Sequence, residues 1–123
     1  MEKKTINELL LKNADKPTDI FPWGSLEWFT RRSLNGADMT LGFCRINPKM
    51  ENQVHSHPNC DEVLYVLSGS IIHRLNGEEI PMSAGDSLFI PQDVVHNAFN
   101  MSDDKEAVLS IAFTTGDRKT VNE

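Results

Sequence analysis

Short apolar segments separated by clusters of turn-forming residues fill the chain from residue 39 onward. The segments predict seven strands, at 39–46, 53–57, 62–67, 70–75, 87–90, 95–100 and 106–114. Many short strands at close spacing, with no helices between them, are typical of an antiparallel sandwich or barrel. The pattern therefore predicts one all-β domain over residues 39–114.

The first 38 residues follow a different pattern. The stretch TINE reads as a capping box, with Thr5 as N-cap and Glu8 three residues later, and it predicts a short helix. An irregular-to-extended arm follows, and it contains four of the nine aromatic residues of the chain, namely Phe21, Trp23, Trp28 and Phe29. We expect this arm to cover an open sheet edge or an oligomer interface; the alternative is that a tryptophan lines a substrate site. Residues 115–123 are expected to form a C-terminal tail.

Composition and charge exclude several classes of protein. The 123 residues are 39% hydrophobic and 24% charged, as in an ordinary globular domain. The net charge of −6 argues against a nucleic-acid partner, because phosphate binding needs clustered Lys and Arg. No apolar run approaches the ~20 residues that span a bilayer, and the N-terminus does not resemble a signal peptide, so we expect a cytoplasmic protein. Cys44 and Cys60 are then expected to be free thiols.

The strongest candidate chemistry lies in the stretch HSHPNCDE, residues 55–62. Residues i and i+2 of a strand share a face, so His55 and His57 project together, with Cα atoms ~7 Å apart. The turn PNCD then reverses the chain, and an antiparallel return can bring Glu62 alongside the pair. Two imidazoles and one carboxylate suit Fe, Mn, Co, Ni or Zn. On these residues alone, a loop pair of histidines and an exposed strand acid remain the alternative.

A second stretch, GDSLFIPQDVVHNAFN, changes this assessment. With it, the chain resembles a small single-domain cupin, a family defined by two sequence motifs. The first motif, G(x)5HxH(x)3–4E(x)6G, is matched by His55, His57, Glu62 and Gly69. The second motif, G(x)5PxG(x)2H(x)3N, is matched by Gly85, Pro91, His96 and Asn100. Three of the four histidines of the chain thus stand at ligand positions of the family.

The resemblance implies a cupin double-stranded β-helix, the jelly-roll barrel. It also implies one divalent transition metal per chain (Fe, Mn, Ni, Co or Zn), bound by His55, His57, Glu62 and His96. One or two coordination positions would stay open for water, substrate or dioxygen. Cys60 is then not needed as a ligand, because the fourth protein ligand is already present.

Two glycines of the cupin motifs are replaced in this chain. Lys49, after Pro48, stands where the first motif has its opening glycine, and we expect this turn to avoid positive φ. Asp93 stands where the second motif has a glycine after Pro91, and aspartate tolerates left-handed backbone better than most residues. Both replacements lie in turns, so they affect the shape of loops rather than the ligands.

Strand parity predicts which residues surround the metal. If the ligands face inward, then Gln53, Leu64 and Ala98 share their face and form a mostly apolar substrate pocket. Arg45 is the one cation on its strand, so it either holds a substrate carboxylate or lies at the barrel rim beside a surface acid. His73 stands in no motif position and is expected to be an ordinary strand residue.

The same parity places Val63, Tyr65 and Leu67 on the outer face of their strand. An apolar outer face needs a cover, which either the second sheet or another subunit can provide. Because cupins commonly dimerise through such strands, the resemblance implies a homodimer.

Three functions are compatible with this site, and each has a small-molecule ligand. The first is an enzyme that uses the metal as a Lewis acid on an oxygen-rich metabolite of sugar or sugar-acid type, in an isomerase, lyase or hydrolase step. The second is an iron-type dioxygenase that acts on a small enol or carboxylate. The third is a non-enzymatic ligand-binding protein. We favour the first, because similar small cupins act on sugar acids and a binding protein hardly needs an open metal.

Overall fold

The structure is a computed structural model that describes residues 3–123. In this range the helical elements are α1 (Ile6–Leu9), a 3-10 turn (Asn13–Asp15) and α2 (Arg32–Asn35). The strands are β1 (Thr18–Phe21), β2 (Gly24–Thr30), β3 (Thr40–Ile46), β4 (His55–Ser56), β5 (Glu62–Ser68), β6 (Ser70–Leu75), β7 (Glu78–Ser83), β8 (Ser87–Ile90), β9 (His96–Phe99), β10 (Ala107–Phe113) and β11 (Val121–Asn122). None of the described helices is long and apolar enough to cross a membrane.

The strands form two antiparallel sheets that enclose one core. The first sheet has six strands in the order β1-β2-β3-β10-β5-β8, and the second has five in the order β11-β4-β9-β6-β7. The largest fully buried apolar side chains come from both sheets and are Trp28, Ile46, Ile71, Ile90 and Leu109. This architecture confirms the predicted all-β jelly roll.

Strand β5 shows how the pleat separates the inner face of the barrel from the outer face. Its inner residues Glu62, Leu64 and Val66 are at most 4% exposed. Its outer residues Val63, Tyr65 and Leu67 are 45%, 42% and 43% exposed. The alternation places Glu62 inside the barrel, on the face that the sequence predicts.

The N-terminal arm contains two strands that the sequence analysis does not assign. Strands β1 and β2 form a hairpin, and β2 pairs with β3 at the edge of the first sheet. Trp28 of β2 is 1% exposed and packs against Gly42, where a Cβ atom would lie 2.6 Å from the indole ring. The alternation in β2 is weak because most of its residues are half-buried, so the arm reads as irregular although it is part of the barrel wall.

Residues 78–83, which read as turns because of NGEE and Pro81, form strand β7 instead. β7 lies at the edge of the second sheet, where a residue without an N–H group is tolerated. Asn76 and Gly77 connect it to β6 with φ of 49° and 83°, which is typical of a two-residue hairpin loop. At the other edge of this sheet, β11 lies in the segment expected to be a tail.

The turn at Lys49 differs from the backbone conformation that the sequence predicts. Lys49 has a φ of 61°, so the prediction that this turn avoids positive φ is wrong. The N–H of Met50 donates to the carbonyl oxygen of Asn47 at 3.1 Å, which closes a four-residue turn around Pro48. Proline at the second position and positive φ at the third are the features of a type II turn, which explains the left-handed lysine.

Candidate metal centre

The predicted ligands come together at the inner face of the second sheet and the start of β5. His55 of β4 pairs with His96 of β9, and their rings lie 4.2 Å apart between centroids. His57 follows directly after β4, and Glu62 is the first residue of β5. One ligand atom from each of these four side chains, which we name the His/Glu cluster, lies within 4.8 Å of the other three.

Backbone carbonyls fix the orientation of all three imidazoles of the His/Glu cluster. The Nδ1 atom lies 2.6 Å from Gln53 O in His55, 2.9 Å from Lys119 O in His57 and 2.9 Å from Val94 O in His96. Because a carbonyl oxygen can only accept, each Nδ1 carries a hydrogen and donates it. In the neutral imidazole this leaves a lone pair on Nε2, which is the atom available to a metal.

The Nε2 atoms of His57 and His96 converge on one carboxylate oxygen. Oε1 of Glu62 lies 3.1 Å from Nε2 of His96 and 3.3 Å from Nε2 of His57. Nε2 of His57 is buried and has no hydrogen-bond partner among the described residues. A buried polar atom without a partner is costly, and lone pairs that face each other at this distance repel unless a cation lies between them. The arrangement therefore calls for a proton or a metal ion at its centre.

The pKa values of the His/Glu cluster favour the forms that bind metals. Burial raises the pKa of Glu62, but hydrogen bonds from His57 and His96 lower it more, to about 2. These hydrogen bonds require a positive centre between each Nε2 and Oε1, either a hydrogen or a metal ion, and with either one Glu62 is a carboxylate at neutral pH. Burial, with a smaller effect of neighbouring His96, lowers the pKa of His55 to about 4. His55 is therefore neutral at pH 7 and keeps its Nε2 lone pair.

The donor set and its size fit one transition-metal ion. Ligands at about 2.0–2.2 Å from a single ion lie no more than about 4.4 Å from one another, close to the spread of 4.8 Å in the His/Glu cluster. Three imidazole nitrogens and one carboxylate oxygen are compatible with Fe, Mn, Co, Ni and Zn. The His/Glu cluster thus fits a metal site without selecting one of these metals.

A cavity of about 530 Å³ opens onto the His/Glu cluster. Gln53, Leu64 and Ala98, which the sequence analysis places in the pocket, all line it. Gln53 also donates from its amide to the carbonyl oxygen of Glu123 at 3.1 Å, so it connects the cavity wall to the C-terminal end of the chain.

Arg45, the fourth predicted pocket residue, lies outside this cavity and corrects the prediction. Its guanidinium forms ion pairs with Glu27 and, at 3.1 Å, with Glu106 on the outer face of the first sheet. Its neighbours Cys44 and Ile46 are buried, so the pleat directs Arg45 outward. The structure therefore favours the alternative of a rim arginine paired with surface acids.

His73 is a cavity residue that the sequence analysis treats as ordinary. Its side chain is fully buried in β6, and its ring lies parallel to that of His96, with centroids 5.8 Å apart. Neither ring nitrogen has a hydrogen-bond partner among the described residues. Burial, with a smaller effect of His96, lowers the pKa of His73 to about 4. Strand parity alone could have indicated it, because His73 is two residues from the inward-facing Ile71 and therefore shares its face.

The arm and the C-terminal segment also contribute to the cavity. Phe21 and Trp23 stack with centroids 4.8 Å apart, and both line the cavity, which agrees with the alternative role for a tryptophan. Arg118, Thr120 and Asn122 line it from the C-terminal side. Sequence patterns gave no signal for these residues, because their positions depend on how irregular segments cross the barrel mouth.

The two cysteines are free and buried, as expected. Burial raises the pKa of the Cys44 thiol to about 12, so this cavity residue is neutral at pH 7. Burial also raises the pKa of Cys60, which stands outside the His/Glu cluster. Trp28 is a core residue whose indole Nε1 donates to Asp19 at 3.1 Å.

The fold and the site together indicate a jelly-roll barrel with a candidate metal site of three histidines and a glutamate on its inner face. Comparison with known protein families indicates the same class of protein. The family model described as Cupin domain matches residues 42–113, more than half of the chain. The chain therefore belongs to the cupin domain family.

Curated proteins and solved structures extend this likeness. Over 86% of its length, the chain is 30% identical to a putative germin-like protein 12-3 of Oryza sativa subsp. japonica, and it covers 53% of that protein. It thus spans about half the length of the germin-like relatives that it matches.

Two solved structures show the same fold at low sequence identity. Oxalate decarboxylase from Lactobacillus farciminis, in a formate complex, superposes with a TM-score of 0.81 at 17% identity, over 89% of this chain and 34% of that one. KdgF from Halomonas sp. superposes with a TM-score of 0.72 at 20% identity, over 89% of this chain and 94% of that one. KdgF is therefore nearly the same size as this chain.

Proposed function

We propose that this cupin is an enzyme that binds one divalent transition metal at His55, His57, Glu62 and His96 and acts on a small, oxygen-rich metabolite. The observation that carries the proposal is the convergence of buried lone pairs at the wall of a cavity of about 530 Å³. Pockets of ~300–1,000 Å³ are the usual size for small-molecule ligands. A metabolite of sugar or sugar-acid type fits both the volume and the metal.

The metal, when bound, supplies a Lewis acid that polarises a carbonyl or hydroxyl oxygen of the substrate, as an isomerase, lyase or hydrolase step requires. The protein supplies a rigid donor set, because each imidazole is fixed by a backbone carbonyl. Apolar walls from Leu64, Ala98 and Ile111 exclude water around the polar centre.

Substrate screening with defined metals tests this proposal. The protein, loaded separately with Mn, Fe(II), Ni or Zn, is incubated with a panel of sugar acids, hydroxy acids and keto acids, and products are followed by proton NMR. We expect turnover of at least one compound without oxygen consumption and a loss of more than 100-fold in Glu62→Gln. Turnover should be unchanged in Ser110→Ala, which changes a half-buried side chain outside the cavity.

Two outcomes would contradict the proposal and support the other functions. Oxygen uptake by the Fe(II)-loaded protein with a small enol or carboxylate would support a dioxygenase. Saturable binding without turnover, under every metal and with the whole panel, would support a ligand-binding protein.

A further inference from the structure

Arg118 is the one arginine among the described residues that lines the cavity of the His/Glu cluster. It lies five residues beyond the end of β10. Its guanidinium carbon is 4.5 Å from the ring centroid of Trp28 and 5.2 Å from that of Phe113. The guanidinium is thus held over aromatic faces that fix its position without using its N–H groups.

The polar surroundings of Arg118 are incomplete. Nη1 donates to Oγ1 of Thr120 at 2.9 Å, which uses one of the five N–H donors. Arg32, Arg45 and Arg74 each form ion pairs with two carboxylates, whereas Arg118, like Arg31 outside the cavity, has no carboxylate within 4.0 Å in residues 3–123. The remaining donors therefore lack an anionic partner.

Desolvation makes this lack of a partner significant. Burial lowers the pKa of Arg118, which means that the surroundings disfavour its charge. Arg118 is half-buried, so water reaches only part of the guanidinium. Aromatic faces compensate a partly desolvated cation only in part, and an anion in the cavity would supply the missing partner. Asp19 lines the same cavity, but its Oδ2 accepts from the indole of Trp28 at 3.1 Å.

Phe113 connects Arg118 with the His/Glu cluster. Its ring centroid is 5.0 Å from that of His57 and 5.2 Å from the guanidinium carbon, so both groups contact the same aromatic side chain. A small molecule in the cavity can therefore meet the guanidinium and the His/Glu cluster together. We propose that Arg118 binds the carboxylate of the substrate while another oxygen of the same molecule faces the His/Glu cluster.

This inference rests on the proposed function and narrows its substrate to a small carboxylic acid with a second oxygen function. The planar fork of arginine matches a carboxylate bidentately, and it matches a phosphate equally well. A carboxylate is favoured by charge: with a divalent metal bound, the formal charges of the metal, Arg118, Glu62 and Asp19 sum to +1, which one carboxylate balances and a phosphate dianion exceeds.

Binding of glycolate to the metal-loaded protein, measured by isothermal titration calorimetry, tests the assignment. We expect the wild type to bind glycolate at least 10-fold more tightly than its neutral analogue ethylene glycol and than inorganic phosphate. In Arg118→Met this preference should disappear, and Arg118→Lys, which keeps the charge but not the fork, should restore part of it. Arg45→Met is the matched control, because it removes a surface arginine, and it should bind glycolate as the wild type does.

Metal content and circular dichroism of each variant separate the outcomes. A wild type that takes up no metal contradicts the proposed function. Two results in protein with normal metal content would overturn the role of Arg118. One is a wild type that binds glycolate no better than ethylene glycol, and the other is equal affinity for glycolate in the wild type and in Arg118→Met. Tighter binding of phosphate than of glycolate also overturns the carboxylate assignment.

Discussion

Acid should destabilise the metal-free protein through His73. The imidazole is fully buried, its two nitrogens lack hydrogen-bond partners among the described residues, and burial lowers its pKa from 6.5 to about 4. In the unfolded chain the same group titrates near its ordinary pKa. Between these two values the unfolded state binds a proton that the folded state does not bind, so the free energy of unfolding falls as the pH falls.

The size of this effect follows from the two pKa values of His73. Its full contribution is present above pH 6.5 and is lost as the pH approaches the folded-state value of about 4. Between pH 7.5 and 4.5, linkage gives a loss of about 2.5 kcal/mol from this one group. Replacement by leucine removes the titrating group and its unpaired nitrogens, so His73→Leu should also be about 1 kcal/mol more stable at pH 7.5.

Urea unfolding, followed by tryptophan fluorescence in the presence of a chelator at pH 7.5 and 4.5, measures both quantities. We expect His73→Leu to lose about 2.5 kcal/mol less than the wild type on acidification. His55→Leu should also lose less, because burial lowers the pKa of His55 to about 4, but it should bind metal poorly, whereas His73→Leu should keep its metal. Equal losses in wild type and His73→Leu would refute the neutral, unpartnered state of His73.

Three further predictions concern folding and assembly. Asn100→Ala should cost about 2–4 kcal/mol in thermal or urea unfolding, because the buried amide donates to two backbone carbonyls and accepts one N–H. Gly42→Ala should cost about 3 kcal/mol, because the added Cβ would clash with the carbonyl oxygen of Glu27 and with the Trp28 ring. Gly77→Ala, which has open space but positive φ, should cost about 1 kcal/mol, and similar costs would contradict the steric account. Light scattering should give a homodimer at micromolar concentration, and Tyr65→Asp on the exposed face of β5 should make it monomeric; a wild-type monomer would rule this interface out.

The sequence predicted the inner face of the barrel most reliably on strands that carry an expected ligand. Strand β5 is an example: its apolar residues lie on both faces, so its face followed from Glu62 as an expected inward ligand, and the observed burial agrees. Strand β7 was missed because five of its six residues are exposed and it contains Pro81, so nothing in its pattern separates it from a turn. Strand β2 was missed for the opposite reason, since burial on both faces removes the alternation.

The candidate site was predictable only as far as its residues lie on regular strands. The His/Glu cluster follows from two spaced motifs, and Gln53, Leu64 and Ala98 follow from parity with its members. Arg118 was not predictable, because an irregular segment carries it across the barrel mouth and packing on aromatic rings fixes it there. The cytoplasmic location and the homodimer stay predictions.

The central claim is that three imidazoles and one carboxylate inside the barrel hold a metal ion. Metal content per chain, measured by emission spectroscopy on purified wild type, His96→Ala and His73→Leu, tests it most directly. The account predicts about one transition metal per chain in the wild type and in His73→Leu, and less than a tenth of that in His96→Ala. A wild type that stays metal-free after incubation with Mn, Fe, Ni and Zn, or a His96→Ala variant that keeps its full metal content, would contradict the account.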